Sequence, residues 1–165
     1  MNLNRIIKHL FYPGWWLRRD FPPHELARIE AAIRQSEENH SGEIRFAIES
    51  SLPLKALWRN ELMHERALEV FSLLRVWDTE DNNGVLIYLL LADRQVEIRA
   101  DRNIHHKVDA KEWQKICQII QEDFRHENYG DGVVKGIEKI GELLAEHFPV
   151  SKDDENELSN KPVIL

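Results

Sequence analysis

Residues 81–100 read DNNGVLIYLLLADRQVEIRA and carry the strongest structural signal in the chain. The residues at 81–84 predict a turn, because Asn and Gly adopt left-handed backbone angles at low cost. The run from Val85 to Ala92 is apolar at every position, which predicts a central strand covered on both faces. After Asp93-Arg94 an alternating pattern extends to Ala100. It predicts a second strand joined through a hairpin, although Asp-Arg is a poor match to the favoured two-residue turns.

A third strand pattern lies upstream of this hairpin. Ile44, Phe46 and Ile48 alternate with other residues, whereas residues 63–74 place apolar side chains at helical spacing. Two strands that are joined through a helix run parallel when they share a sheet. The order therefore predicts a mixed sheet, in which the upstream strand is parallel to the buried strand and the hairpin adds an antiparallel one.

Three further stretches with helical spacing surround these strands. The first follows Pro22 and extends to about Asn39, and the second follows Asp109, which is placed to cap it. The third follows Gly130-Asp131-Gly132 and ends before Pro149. A small mixed sheet flanked by helices places the protein in the α/β class.

Composition excludes several classes of protein. The chain has 165 residues and is 42% hydrophobic, enough to bury the core of one domain. Its single cysteine, Cys117, excludes an internal disulfide and a Cys/His zinc framework. The longest apolar run is far shorter than the roughly 20 residues of a membrane-spanning helix. Since the first residues lead into no long apolar segment, we expect a cytoplasmic protein that is not exported.

Charge is distributed unevenly along the chain. The formal net charge is −7, but residues 1–20 sum to +3, which leaves −10 for the remainder. An acidic body repels phosphate backbones, so we expect no nucleic-acid partner. The sequence thus divides into a basic aromatic arm (1–21), a domain (22–149) and an acidic tail (150–165). Aromatic and cationic residues of the arm suit a membrane surface or a protein partner, or they pack on the domain itself.

Four short motifs resemble the TPM domain family. They are SGEIR at 41–45, NGVLI at 83–87, DR at 93–94 and FRHENYGDG at 124–132. The likeness is greatest to the cytoplasmic branch of the family, which lacks a signal peptide and a membrane anchor, and it extends from about Pro22 to Pro149. The resemblance implies an α/β/α sandwich. It also implies calcium binding, acid-phosphatase activity or a role in assembling membrane complexes, which have been linked to different members. Ala100 and Asn103 depart from the family, because glycine is common at both positions.

The predicted topology brings polar residues together at one end of the sheet. Parallel strands begin at the same end, and the antiparallel strand ends there. We therefore expect the following residues to gather: Glu43, Asp81, Asn82, Asn83, Asp101 and Asp109. Carboxylate and amide oxygens suit Ca²⁺ or Mg²⁺, so the predicted metal ligands are Asp81, Asn83, Asp101, Asp109 and Glu43. The alternative is structural, since Asp and Asn also form turns and cap helices. Asp93 and Arg94 are expected at the opposite end, near Ser50 and Ser51.

The sequence is compatible with two functions. The first is a module that binds a divalent cation and acts as an interaction or assembly factor. The alternative is a metal-dependent hydrolase resembling an acid phosphatase, in which the cation would activate water. The first is favoured because no nucleophile and base can be paired by spacing, so no catalytic residue is assigned.

Overall fold

The computed structural model describes residues 3–12, 14–59, 61–150 and 155–165, so parts of the predicted arm and tail lie outside it. Within these ranges the chain forms, in order, helices α1 (Leu3–Leu10), α2 (Trp15–Asp20) and α3 (Pro23–Glu37), strand β1 (Glu43–Glu49), helices α4 (Leu54–Trp58) and α5 (Met63–Leu73), strands β2 (Gly84–Leu90) and β3 (Gln95–Ala100), helices α6 (Arg102–His105), α7 (Ala110–Arg125) and α8 (Tyr129–His147), and strand β4 (Val163–Ile164).

The strands form a mixed sheet in the order β3-β2-β1-β4. β1 and β2 are parallel over their whole length, from the pair Glu43 and Gly84 to the pair Glu49 and Leu90. β2 and β3 are antiparallel, as a hairpin requires. β4 adds a short parallel strand to the free side of β1. The predicted crossover and hairpin are confirmed, and the tail supplies a strand that periodicity does not reveal.

Helices cover both faces of the sheet and create two separate cores. Alternate residues of β1 and β2, such as Phe46 and Ile87, pack under α3, α7 and α8. Their neighbours, such as Ala47 and Leu86, pack under α4 and α5. Every residue of β1 and β2 is buried, as the continuous apolar run of β2 predicts. The fold is thus an α/β/α sandwich, as expected.

The hairpin differs in detail from the prediction. β2 ends at Leu90, and a four-residue turn precedes β3. Leu91 and Ala92 remain buried because their backbone N–H groups still pair with the chain that leaves β1, at Glu49 and Ser50. Arg94 adopts a positive φ of 53° before the chain reverses. The apolar run is therefore longer than the part of it that pairs with β3.

Helix α8 begins earlier than the sequence predicts. Gly130 and Gly132 lie in its first turn, not in a preceding loop. A side chain at Gly136 would collide with Ile120 of α7, the helix that packs most extensively on α8. Glycine at this position therefore allows the two helix backbones to approach closely.

Candidate functional site

The end of the sheet at which β1 and β2 begin, which we call the amino end, collects several predicted site residues. Glu43 starts β1 and pairs with Gly84 of β2. Asn83 immediately precedes Gly84, and the backbone N–H of Asp101 donates to the carbonyl of Gly84. The chain thus brings Glu43, Asn83 and Asp101 to one end from positions far apart in sequence. Parallel pairing of β1 with β2 is the cause.

Asn83 and Asp101 each have a buried side chain with one oxygen that lacks a hydrogen-bond partner among the residues that the structure describes. The amide nitrogen of Asn83 donates to the carbonyl of Ser41 at 2.5 Å, while its Oδ1 is unpartnered. Asp101 caps helix α6, because its Oδ1 accepts from the N–H of Arg102 at 2.7 Å, while its Oδ2 is unpartnered. A buried oxygen without a donor is costly, and a cation would relieve that cost.

The carboxylate of Glu43 holds the C-terminal tail. Its two carboxylate oxygens accept the backbone N–H groups of Glu157 and Leu158 at 3.1 and 3.0 Å. Arg45, two residues along β1, donates to the backbone carbonyl of Ser159. Burial lowers the pKa of the Arg45 guanidinium. The tail is therefore fastened to β1 by charged side chains, and Glu43 has a structural role there.

The two remaining predicted ligands lie on the surface. Asp109 caps α7 through a 2.8 Å bond from the N–H of Lys111. Asp81 is exposed, and its backbone carbonyl accepts from the side chain of Asn103. Across the described ranges, no three His, Cys, Asp or Glu side chains lie close enough to hold a metal ion. The predicted carboxylate ligands thus share an end of the sheet, but three of them do not converge on one point.

The opposite, carboxyl end of the sheet binds the N-terminal arm. Asp93 lies in the β2–β3 turn, 3.0 Å from the Nε2 of His9 and 3.0 Å from the Nε of Arg5. His9 is buried, and its Nδ1 accepts the backbone N–H of Leu52. That bond places the proton of a neutral His9 on Nε2, facing Asp93. Burial alone would raise the pKa of Asp93, but bonds from His9 and Arg5 hold it below its usual value.

Sequence reasoning did not find the roles of Arg5 and His9. Their spacing of four residues on α1 places both on one helix face, and this was the available signal. The same helix turns apolar side chains outward, with Phe11 74% exposed just beyond it. Trp15 of α2 is 63% exposed and packs edge-on against Trp16. The arm thus does two things, since it packs on the domain and presents apolar side chains to solvent.

Comparison with known proteins agrees with this architecture. A family model described as the TPM domain matches residues 21–143. The solution structure of the BA42 protein from the psychrophilic bacterium Bizionia argentinensis is 37% identical, covers 86% of this chain and 93% of that one, and superposes with a TM-score of 0.76. The N-terminal domain of a P. gingivalis protein shares the fold at 18% identity and a TM-score of 0.63, over 78% of this chain and 81% of that one. No curated protein sequence matches. The length of the family match and the identity to BA42 both lead to one conclusion: the chain belongs to the TPM domain family.

Proposed function

We propose that this TPM-domain protein is a binding module that acts as an interaction or assembly factor. It attaches to an anionic membrane surface through its arm, and it holds a divalent cation at the amino end of the sheet. The observation that carries the proposal is the arm itself, which is anchored at Asp93 while its apolar side chains face outward. No helix in the described part of the chain could span a bilayer, so attachment would be peripheral.

The anchoring of the arm argues that its exposed side chains serve binding. His9 is 2% exposed, its Nδ1 accepts a backbone N–H and its Nε2 lies 3.0 Å from the Asp93 carboxylate, so α1 is held in place on the domain. Ile7, Leu10 and Phe11 nevertheless lie on its outer side with about half or more of their surface in contact with water. Large apolar side chains grouped in this way mark binding surfaces.

The charges around the arm favour anionic lipid as the partner. Lys8, Arg18 and Arg19 are exposed, and the guanidinium of Arg19 lies 5.0 Å from the ring of Trp16. Helix α4, which contacts α1, adds an exposed Trp58 beside the exposed Arg59. Aromatic rings together with cations suit the boundary between headgroups and acyl chains. A net positive arm on an acidic body also orients that surface toward a negative membrane.

Vesicle sedimentation tests the membrane part of the proposal. The full chain should bind vesicles of phosphatidylcholine and phosphatidylglycerol, bind pure phosphatidylcholine poorly, and lose binding at high salt. The double variant Phe11→Ser, Trp15→Ser should bind at least about tenfold more weakly, because two large apolar side chains no longer enter the interface. Trp77→Ser is the matched control, since this exposed tryptophan precedes β2 at the other end of the sheet. Equal binding by parent and double variant would refute attachment through the arm.

The cation part rests on Asn83 and Asp101. Amide and carboxylate oxygens are ligands that Ca²⁺ and Mg²⁺ prefer, and within the described ranges Asn83 Oδ1 and Asp101 Oδ2 are buried without a donor. A Ca²⁺ or Mg²⁺ titration should shift the backbone amide resonances of residues 81–83 and 101–103. Asp101→Asn should abolish those shifts, whereas Asp109→Asn should preserve them because Asp109 caps α7. If the amides stay unmoved at millimolar cation, no cation binds there.

The phosphatase alternative would use the same end of the sheet. It is less favoured, because Asp101 and Asp109 each use a carboxylate oxygen to cap a helix. Hydrolysis of p-nitrophenyl phosphate by the parent, lost in both Asp81→Asn and Asp101→Asn, would reverse this preference. Turnover that survives both substitutions would come from another site or a contaminant.

A further inference from the structure

Strand β3 has a free outer side. It lies last in the sheet order, and β2 is its one strand partner among the described residues. Asp101 directs its N–H toward β2, and antiparallel pairing alternates, so Val96, Ile98 and Ala100 direct their backbone groups outward. The pKa of the Cys117 thiol reflects this geometry: burial raises it to about 12, and the outward N–H of Ile98 opposes that rise. At Val96 and Ala100, β3 thus presents backbone groups that a further strand could pair with, while the N–H of Ile98 lies against Cys117 of α7.

This free side lies at the bottom of a groove. Helix α5 contributes one wall, with Leu68 and Phe71, and helix α7 contributes the other, with Trp113 and Cys117. The groove has a volume of about 710 Å³, within the roughly 300–1,000 Å³ typical of ligand sites. Its floor and walls are mainly apolar, and it runs along the strand.

The polar groups of the groove are of the kind that bind a peptide backbone. Gln114, Gln118 and Gln121 follow one another along α7 at helical spacing and all line the groove. Each offers a neutral amide with both donor and acceptor groups. The indole Nε1 of Trp113 is buried there and has no hydrogen-bond partner among the described residues. This unmatched donor, together with the glutamine amides, suits a ligand that carries backbone carbonyl and N–H groups.

We propose that this groove binds an extended peptide segment of a partner protein, which adds to the sheet as a strand beside β3. The outward residues from Val96 to Ala100 span about 14 Å, so they pair with a segment of roughly five residues. Apolar walls favour a segment with apolar side chains, and Glu97, Arg99 and Arg102, which also line the groove, can pair with charges of either sign on that segment.

Two other occupants fit the groove less well. The β3 strand of a second copy would itself lie between helices α5 and α7, and these helices would meet before the two strands came within the roughly 4.8 Å of a sheet pair. The C-terminal tail of this chain is already paired with β1 on the other side of the sheet. A separate, single extended segment satisfies the geometry.

Peptide display tests the proposal with a defined probe. Heptapeptides displayed on phage are selected against the full-length protein, and the selected sequence is synthesised with an acetylated N-terminus and an amidated C-terminus. We expect its binding to shift the backbone amide resonances of Val96, Ile98 and Ala100. Methylation of alternate peptide nitrogens should weaken binding at least about tenfold, whereas methylation of the intervening nitrogens should not, because only one set faces β3.

Two variants on α7 provide a matched pair. Gln118→Trp fills the groove and should weaken binding at least about tenfold, whereas Lys115→Trp, outside the groove lining, should leave it unchanged. The arm variants Phe11→Ser and Trp15→Ser should bind the peptide normally. Three outcomes would overturn the proposal. No peptide is selected, methylation at either set of nitrogens weakens binding equally, or Gln118→Trp binds the peptide as tightly as the parent. Shifts of the β3 amides that depend on protein concentration without peptide would also overturn it, because they would identify a second copy as the occupant.

Discussion

A buried ion pair in the second core gives the sharpest test of how this fold is stabilised. Glu49 ends β1 and is 5% exposed. Arg66 of α5 bonds both of its carboxylate oxygens, at 2.9 and 2.8 Å, and the hydroxyl of Tyr88 donates to it at 2.6 Å. The hydrogen bonds that Arg66 donates to Glu49 raise the pKa of its guanidinium against the effect of burial. Burial and the charge of Glu49 raise the pKa of Tyr88.

Arg66→Ala should therefore be among the most destabilising single substitutions in the chain. It leaves the Glu49 carboxylate buried with Tyr88 as its remaining donor. Removal of one partner from a buried pair costs about 3–5 kcal/mol, a large part of the roughly 5–15 kcal/mol that stabilises a domain. The double variant Glu49→Gln, Arg66→Met should recover much of the loss, because it removes the uncompensated charge.

Urea denaturation at pH 7 measures the effect, provided that the slope with denaturant stays constant. The control is Arg34→Ala, which breaks an exposed pair with Glu30 and should cost less than about 1 kcal/mol. A loss below about 1 kcal/mol at pH 7 for Arg66→Ala would show that Glu49 is not an uncompensated buried charge and would refute the reasoning.

Three further predictions follow from single contacts. Burial lowers the pKa of His40 to about 4. In the unfolded chain this imidazole takes up a proton near pH 6.5, so protonation favours unfolding. The free energy of unfolding should therefore fall by up to about 3 kcal/mol as pH drops from 7 to 4. His40→Gln should show a flatter dependence in urea titrations at both pH values. Gly84→Ala should destabilise by about 3 kcal/mol in thermal or urea unfolding, because its side chain would collide with a backbone carbonyl of the preceding turn. Gly14→Ala, which meets no atom within 4 Å, is the control and should be neutral or slightly stabilising. Glu43→Ala should release the tail, because Glu43 accepts two backbone N–H groups of the tail. Hydrogen exchange at the N–H of Leu165, which donates to β1, should then become faster. Unchanged exchange would mean that β4 pairing alone holds the tail.

Local patterns were sufficient for the central part of the fold. The apolar run that begins at Val85 indicates a strand covered on both faces, and the helix at 63–74 between two strand patterns indicates parallel pairing. These two inferences bring Glu43, Asn83 and Asp101 to one end of the sheet. The short helices α4 and α6 were not found, because segments of four or five residues carry too little periodicity.

The amino acid order by itself determined strands β1 to β3 and the crossover, because burial imposes its period on neighbouring residues and needs no distant partner to be visible. Four short motifs carried the resemblance to the TPM family. Only the tertiary structure decided what the polar side chains do. Glu43 holds the tail, Asp109 caps a helix and Asp93 anchors the arm. The direction of a carboxylate depends on which donor comes within about 3 Å after folding, and donors such as His9 come from parts of the chain that no local pattern connects.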